Sequence, residues 1–248
     1  MATVSSANGR VVHAVVFDLF GTLVRWSSDS VPSAAHVIWL KSPARQDLSL
    51  ARLTEIIDGL DGEVLWDMSS KRRDFASVHC ARIMSAIKFA GIGEPESIYE
   101  LCIEAEKRRR LELFPDVLEG LNELRVRRVP WYVCSNASAD VAPKLHALLP
   151  TELHPVGMAL SCEVGALKPH PRMYETVADM AAPQVSLFVG DRLGPDVIGP
   201  KGFGYDPVWI RRDLQFEEFE EGVDDDHVQV GSIADVVMEI DRRQGVQF

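Results

Sequence analysis

The stretch "VVHAVVFDLFGTLV", residues 11–24, carries the first decision about the fold. Residues 11–17 are apolar and β-branched nearly throughout, which predicts a strand buried on both faces of a parallel sheet. The run stops at Asp18. Gly21 and Thr22 follow, with the aromatic Phe20 between them and the acid. A carboxylate at the mouth of a buried strand is either a local cap or one member of a site assembled from distant parts of the chain.

Outward from this strand the pattern changes twice. Between residues 27 and 113, segments such as "AAHVIWLK", "LARLTEIIDGL", "FASVHCARIMSAIKFAGI" and "SIYELCIEAEKRRRLELF" repeat apolar residues every three or four positions, as amphipathic helices do. No strand is expected in this block, so residues 27–113 read as a separate all-helical unit inserted after the first strand. After Pro115, helix and strand alternate through "VLEGLNELRVRR", "VPWYVCS", "VAPKLHALL", "VGMALSC", "PRMYETVADM", "VSLFVGD" and "DPVWIRR". That succession predicts an α/β core of residues 1–26 and 114–248, a doubly wound, Rossmann-like parallel sheet with helices on both faces.

Bulk properties exclude several classes of function. The 248 residues, 46% of them hydrophobic, suffice for one large core and a smaller companion. A net charge of −11 repels phosphate backbones, so nucleic acid is not an expected partner. Cys80, Cys102, Cys134 and Cys162 are widely spaced and read as reduced thiols, not a metal cluster. Residues 1–10 lack a leader pattern, and the run at 11–17, interrupted by His13, is too short to span a bilayer. A cytoplasmic protein without a membrane partner is expected. The acidic "EEFEEGVDDD" (217–226) and basic "KRRR" (107–110) read as solvated surface, the latter at a helix end where cations suit the dipole.

The strand ends are more informative. The first strand runs into Asp18, "WYVC" into Ser135-Asn136, and "VSLFVG" into Asp191. Singly, each is most often a turn or a helix cap. In an open parallel sheet, however, the carboxyl ends share the edge where ligands bind. Lys168 joins them from "GALKPHPRMYE", where Pro169 and Pro171 stiffen the backbone around a potential counter-charge. Three carboxylates in one crevice, Asp18, Asp191 and Asp196, repel unless a cation joins them, and oxygen-only ligands suit Mg²⁺. With Mg²⁺ and Lys168 neutralising a phosphate, an aspartate is able to attack phosphorus and form an aspartyl-phosphate. Gly21 lets backbone amides approach the anion, and Thr22 adds a hydroxyl.

These four segments, "DLFGTL", "VCSNAS", "VGALKPHPRMYE" and "VGDRLGPDV", resemble in order the four motifs of the haloacid dehalogenase-like hydrolase superfamily. The helical insert resembles that family's cap in its common position. The resemblance implies Asp18 as nucleophile, Ser135 bonding the transferring group, and Lys168 stabilising its charge. Gly21, Thr22 and Asn136 contact substrate. The resemblance likewise implies Asp191 and Asp196 as Mg²⁺ ligands, completed by the Asp18 carboxylate and the Phe20 backbone carbonyl. Substrates of the class are small molecules, a phosphorylated metabolite or a halo-acid.

Phe20 departs from the pattern, because the family's phosphatases usually carry a second Asp there that protonates the leaving alcohol. Losing such a group typically removes about 10²–10⁴-fold in rate, unless the leaving group needs no proton, as in acyl phosphates. The 2-haloacid dehalogenases carry an aromatic residue at that position and release halide without an acid or a metal. Phe20 therefore favours dehalogenase-like chemistry, and Asp191 with Asp196 favours Mg²⁺ and phosphate. For a halo-carboxylate, Arg45 and Trp66 are the candidate cap contacts. A phosphonate-cleaving variant would need a cap lysine, with Lys41, Lys71 and Lys88 the candidates. A non-catalytic binding protein with a degenerate site is a further alternative. Arg25 and Trp26 lie beside the junction of the two units, where they read as lining the entrance or, the favoured reading for Trp26, as packing the seam.

Overall fold

The computed structural model describes residues 11–27, 33–58, 75–181, 187–212 and 227–245. Its strands are β1 (Val15–Phe17), β2 (Val24–Trp26), β3 (Leu111–Leu113), β4 (Trp131–Ser135), β5 (Gly157–Leu160), β6 (Leu187–Gly190), β7 (Asp206–Ile210) and β8 (Val228–Val230). The longer helices are α1 (Ala34–Lys41), α2 (Leu50–Asp58), α3 (Phe75–Phe89), α4 (Pro95–Arg108), α5 (Val117–Val126), α6 (Val141–Leu148), α7 (Pro171–Ala181) and α8 (Ile233–Gln244).

Six strands form one parallel sheet in the order β5-β4-β1-β6-β7-β8. From β1 the chain builds outward through β4 and β5, then crosses to the other side for β6, β7 and β8. Val15, Val16 and Phe17 lie opposite Trp131, Tyr132 and Val133 on one side and Leu187, Phe188 and Val189 on the other. The two-residue period sends Val15 and Phe17 to one face, against Leu121 and Leu124 of α5, Leu145 of α6, and Ile233 and Ile240 of α8. Val16 faces the opposite side with Phe188, against Met173, Tyr174 and Val177 of α7. Each of these large apolar side chains contributes about 1.5–3 kcal/mol on full burial. Both faces are covered, which is why β1 and β6 are apolar without alternation.

Helices α1–α4 bury a separate cluster of their own, including Ile38, Leu53, Ile83, Ile87 and Ile98. The expectation of helix throughout 27–113 fails at its end. Leu111–Leu113 is a strand, pairing antiparallel with β2 so that Trp26 faces Leu111 and Arg25 faces Glu112. Leu-Glu-Leu alternates with period two, and the Arg25–Glu112 ion pair at 2.7 Å bridges the two strands. The chain's exit from the sheet towards the helices and its return therefore run side by side. Strand β8 carried too short a pattern to signal itself. Among the described residues no helix is long and apolar enough to cross a membrane. Cys102 and Cys134 are buried free thiols, pushed up to about 12 by burial; Cys80 and Cys162 are half-buried and also free. Trp66, Lys71 and the 217–226 acidic run lie outside the described residues.

Candidate active site

Because β4, β1 and β6 are adjacent and parallel, their carboxyl ends open on one crevice where the strand order reverses. Ser135 ends β4, Asp18 follows β1 and Asp191 follows β6. Lys168 enters from the loop before α7. Its ammonium lies 2.7 Å from Asp18 Oδ1 and 2.6 Å from Asp196 Oδ1, and all three side chains are nearly sealed from solvent. Carboxylate oxygens of Asp18, Asp191 and Asp196 lie within 4.8 Å of one another.

The supporting residues explain how these acids are held. Asp196 sits in a short π-helical segment, Leu193–Ile198, and its Oδ2 accepts a hydrogen bond from the Arg192 amide at 3.1 Å. It packs so closely on Gly190 that a Cβ there would come within 2.4 Å of the carboxylate carbon. Tyr174 of α7 donates its hydroxyl to the Pro195 carbonyl at 2.7 Å, and Trp209 of β7 donates its indole N–H to the Asp191 carbonyl at 2.9 Å. Neither was visible in the sequence, since an aromatic on a helix or strand reads as core.

Three acids and one ammonium make an unbalanced group. Burial and then the charges of Asp18 and Asp196 push the Asp191 carboxyl up to about 7. Burial also raises Asp196, to about 6, against the opposing pull of Lys168. Burial alone would lower the Lys168 ammonium, but Asp18 and Asp196 outweigh it and hold the lysine charged well above its ordinary range. Asp191 Oδ1 is buried without a hydrogen-bond partner among the described residues. Buried orphan acceptors are costly. An all-oxygen set with unspent acceptors and excess negative charge fits a hard divalent cation.

The other expected residues divide. Ser135 is buried at the cavity wall. Asn136 also lines the cavity, yet its amide clamps the Lys168 backbone, accepting from Lys168 N at 2.7 Å and donating to Lys168 O at 3.1 Å. Gly21 does not offer its amide to an anion, because that N–H bonds the Val24 carbonyl at 2.9 Å. Thr22 is fully buried away from the cavity lining, and its carbonyl accepts from Arg212. Arg45 is exposed, and it and Lys88 do not reach the lining.

The crevice is the floor of a cavity of about 1050 Å³ whose walls include residues of α2, α3 and α4. A family model for haloacid dehalogenase-like hydrolases matches residues 12–204. The chain belongs to this family. It is 30% identical over 184 residues to a phosphoserine phosphatase of Thermus thermophilus, covering 73% of this chain and 69% of that one. It is 27% identical over 222 residues to haloacetate dehalogenase H-2 of a Moraxella species, covering 81% and 86%. In structure it is similar to an L-2-haloacid dehalogenase of Xanthobacter autotrophicus with chloropropionic acid covalently bound. That likeness has a TM-score of 0.65 at 21% identity, covers 93% of this chain and 98% of the other, and supports the α/β fold.

This haloacid dehalogenase-like hydrolase also places in its cavity a group the sequence did not reveal. Phe20 packs on Trp26 with ring centroids 5.1 Å apart, and the Arg109 guanidinium lies 4.1 Å over the Trp26 ring. Arg109 was expected on a solvated helix end; instead its side chain is only 18% exposed. Trp26 lines the cavity as well as filling the seam.

Proposed function

We propose that the protein is a Mg²⁺-dependent phosphatase that transfers the phosphoryl group of a small metabolite to Asp18. The observation that carries this reading is the half-buried Asp191 carboxylate beside Asp18 and Asp196, whose sealed Oδ1 has no hydrogen-bond partner among the described residues. A metal-free site has little use for a third carboxylate held there at such cost. The 30% identical relative, a phosphatase, points the same way. Bound to Asp18, Asp191, Asp196 and the Phe20 carbonyl, Mg²⁺ would supply positive charge against the phosphate oxygens.

The chain's own residues then divide the work. An Asp18 oxygen attacks phosphorus while the bond to the leaving oxygen breaks, giving an acyl phosphate on the side chain. Lys168, fixed between Asp18 and Asp196, sets charge against the transferring group without moving, and Asn136 holds its backbone in place. Ser135 offers its hydroxyl to the same group. Water then cleaves the acyl phosphate and restores the carboxylate. Helices α1–α4 act as the cap that covers the cavity and excludes water from the first step. Phe20 carries no proton to give, so the preferred substrates are those with a stable leaving anion, such as acyl or aryl phosphates.

The experiment is turnover of an aryl phosphate with Mg²⁺ and with EDTA, in wild type and Asp18→Asn. Turnover should need the metal and vanish in the variant, with solvent ¹⁸O appearing on Asp18. A second reading, metal-independent dehalogenation, is favoured by Phe20 itself, because halide leaves without a proton. Halide release from 2-chloropropionate in EDTA, with no phosphate release in Mg²⁺, would replace the first reading by the second.

A further inference from the structure

The cavity lining carries the basic side chains Arg25, Arg82, Lys107, Arg109 and Arg192, which the phosphatase reading leaves unused, and Arg109 among them is held on two sides. Arg109 follows the last turn of α4, and Glu106 holds it, with Oε2 accepting from Arg109 Nη1 at 3.0 Å. Glu106 is itself fixed, since Oε1 accepts from the Ala34 amide at 2.7 Å, at the start of α1. Trp26 supports the guanidinium plane at 4.1 Å. One edge and one face of the group are therefore set before any ligand arrives.

A guanidinium has five N–H donors. Glu106 is the one side-chain acceptor that takes any of them among the described residues. The other basic side chains that residues 25–109 place on the lining differ. Arg25 is paired with Glu112 and Lys107 with Glu104, and they are 55% and 64% exposed. Arg82 is half-buried on α3. Arg109, at 18% exposure and 4.1 Å over Trp26, is more enclosed and more closely stacked than Arg25, which lies 5.5 Å over Phe114, and it faces the cavity that contains Asp18 and Lys168. A planar fork held in this way matches a carboxylate, and pre-organisation lowers the entropy cost of using it.

We propose that Arg109 anchors a carboxylate on the leaving-group portion of the substrate, so that the substrate class is a phosphorylated acid and not a neutral phosphate ester. Glu106 is the positioning residue for this anchor, and Trp26 is its platform. The substrate assignment rests on the phosphatase reading; the carboxylate subsite itself does not.

The test compares para-nitrophenyl phosphate with its ring-carboxylated analogue. Wild type should favour the carboxylated ester by about tenfold to a hundredfold in kcat/KM, the range of a charge-assisted hydrogen bond. In Arg109→Gln that ratio should collapse towards one, mainly through KM, and Arg109→Lys should restore part of it. If Arg109→Gln does not fold, Glu106→Gln decides, because it keeps the cation but releases its anchor and should weaken the preference. Calorimetric titration of Asp18→Asn with both esters gives a second readout, independent of turnover. Equal affinity for the two esters, or a difference that Arg109→Gln leaves intact, overturns the subsite whether or not hydrolysis is seen. Tighter, Arg109-dependent binding with no hydrolysis by wild type overturns the phosphatase reading and keeps the subsite. Hydrolysis of both esters with equal kcat/KM does the reverse.

Discussion

Gly21 makes room for Asp191. A Cβ at residue 21 would come within 2.1 Å of Asp191 Oδ2, and Gly21 also has φ +76°, a conformation that side chains disfavour. The glycine three residues after Asp18 thus serves the acid that follows β6, 170 residues away in sequence. Gly21→Ala should cost about 1–3 kcal/mol of stability through backbone strain. Because Trp209 pins the Asp191 carbonyl, the carboxylate must rotate out of the triad to relieve the clash. The Mg²⁺ concentration for half-maximal activity should then rise about 10–100-fold, the usual effect of disturbing a ligand's support. A metal titration of a folded variant with an unchanged midpoint would contradict this role for the glycine.

Lys168 is the counter-charge for two buried acids. Lys168→Met keeps much of the side chain's bulk but leaves Asp18 and Asp196 without the ammonium they share. Removing one partner from a buried ionic group costs about 3–5 kcal/mol. Urea unfolding near neutral pH should show a loss of this size, and turnover should fall below detection. A variant as stable as wild type would mean that the ammonium is not the counter-charge that holds the two acids in place.

The pH dependence of stability has a definite sign. Asp191 and Asp196 have folded-state values raised to about 7 and about 6, first by burial. A raised carboxyl contributes stability below its unfolded value, near 4, and loses it as pH rises through the folded value. In EDTA, Asp191→Asn should therefore be more stable than wild type at about pH 8, with the gap closing towards about pH 5. Saturating Mg²⁺ should reverse the order at high pH, because it binds the native carboxylates. Unfolding midpoints in both buffers test this directly; a gap that is independent of pH would show that Asp191 is not raised.

The sheet and the crevice were legible because they rest on short-range signals. Apolar runs ending in Asp18, Ser135 and Asp191 announce parallel strands and place three polar residues on one edge. Lys168 was legible through the prolines beside it. What escaped depends on tertiary placement. Arg109 sits in "KRRR", where four cations look alike, and only the turn into β3 folds one of them over Trp26. Leu111–Leu113 is too short to oppose the helical pattern before it. Asn136 and Gly21 were placed in the right loops, but the hydrogen bonds that occupy the Asn136 amide and the Gly21 N–H come from partners that spacing does not reveal.

Phe20→Asp tests the chemical cost of the ring. Phe20 lines the cavity and packs on Trp26, so a carboxylate there would face the leaving group but lose an aromatic contact. Loss of that contact should lower stability by about 0.5–1.5 kcal/mol. The catalytic effect should depend on the substrate. For alkyl phosphates, whose leaving alkoxide needs a proton, the new acid should raise kcat/KM by about 10²-fold or more. For aryl and acyl phosphates, which leave as stable anions, it should change little. Plotting log kcat/KM against leaving-group acidity for both proteins gives the answer as a slope, shallower in the variant. Parallel lines would mean that Phe20 is not standing in the place of a proton donor.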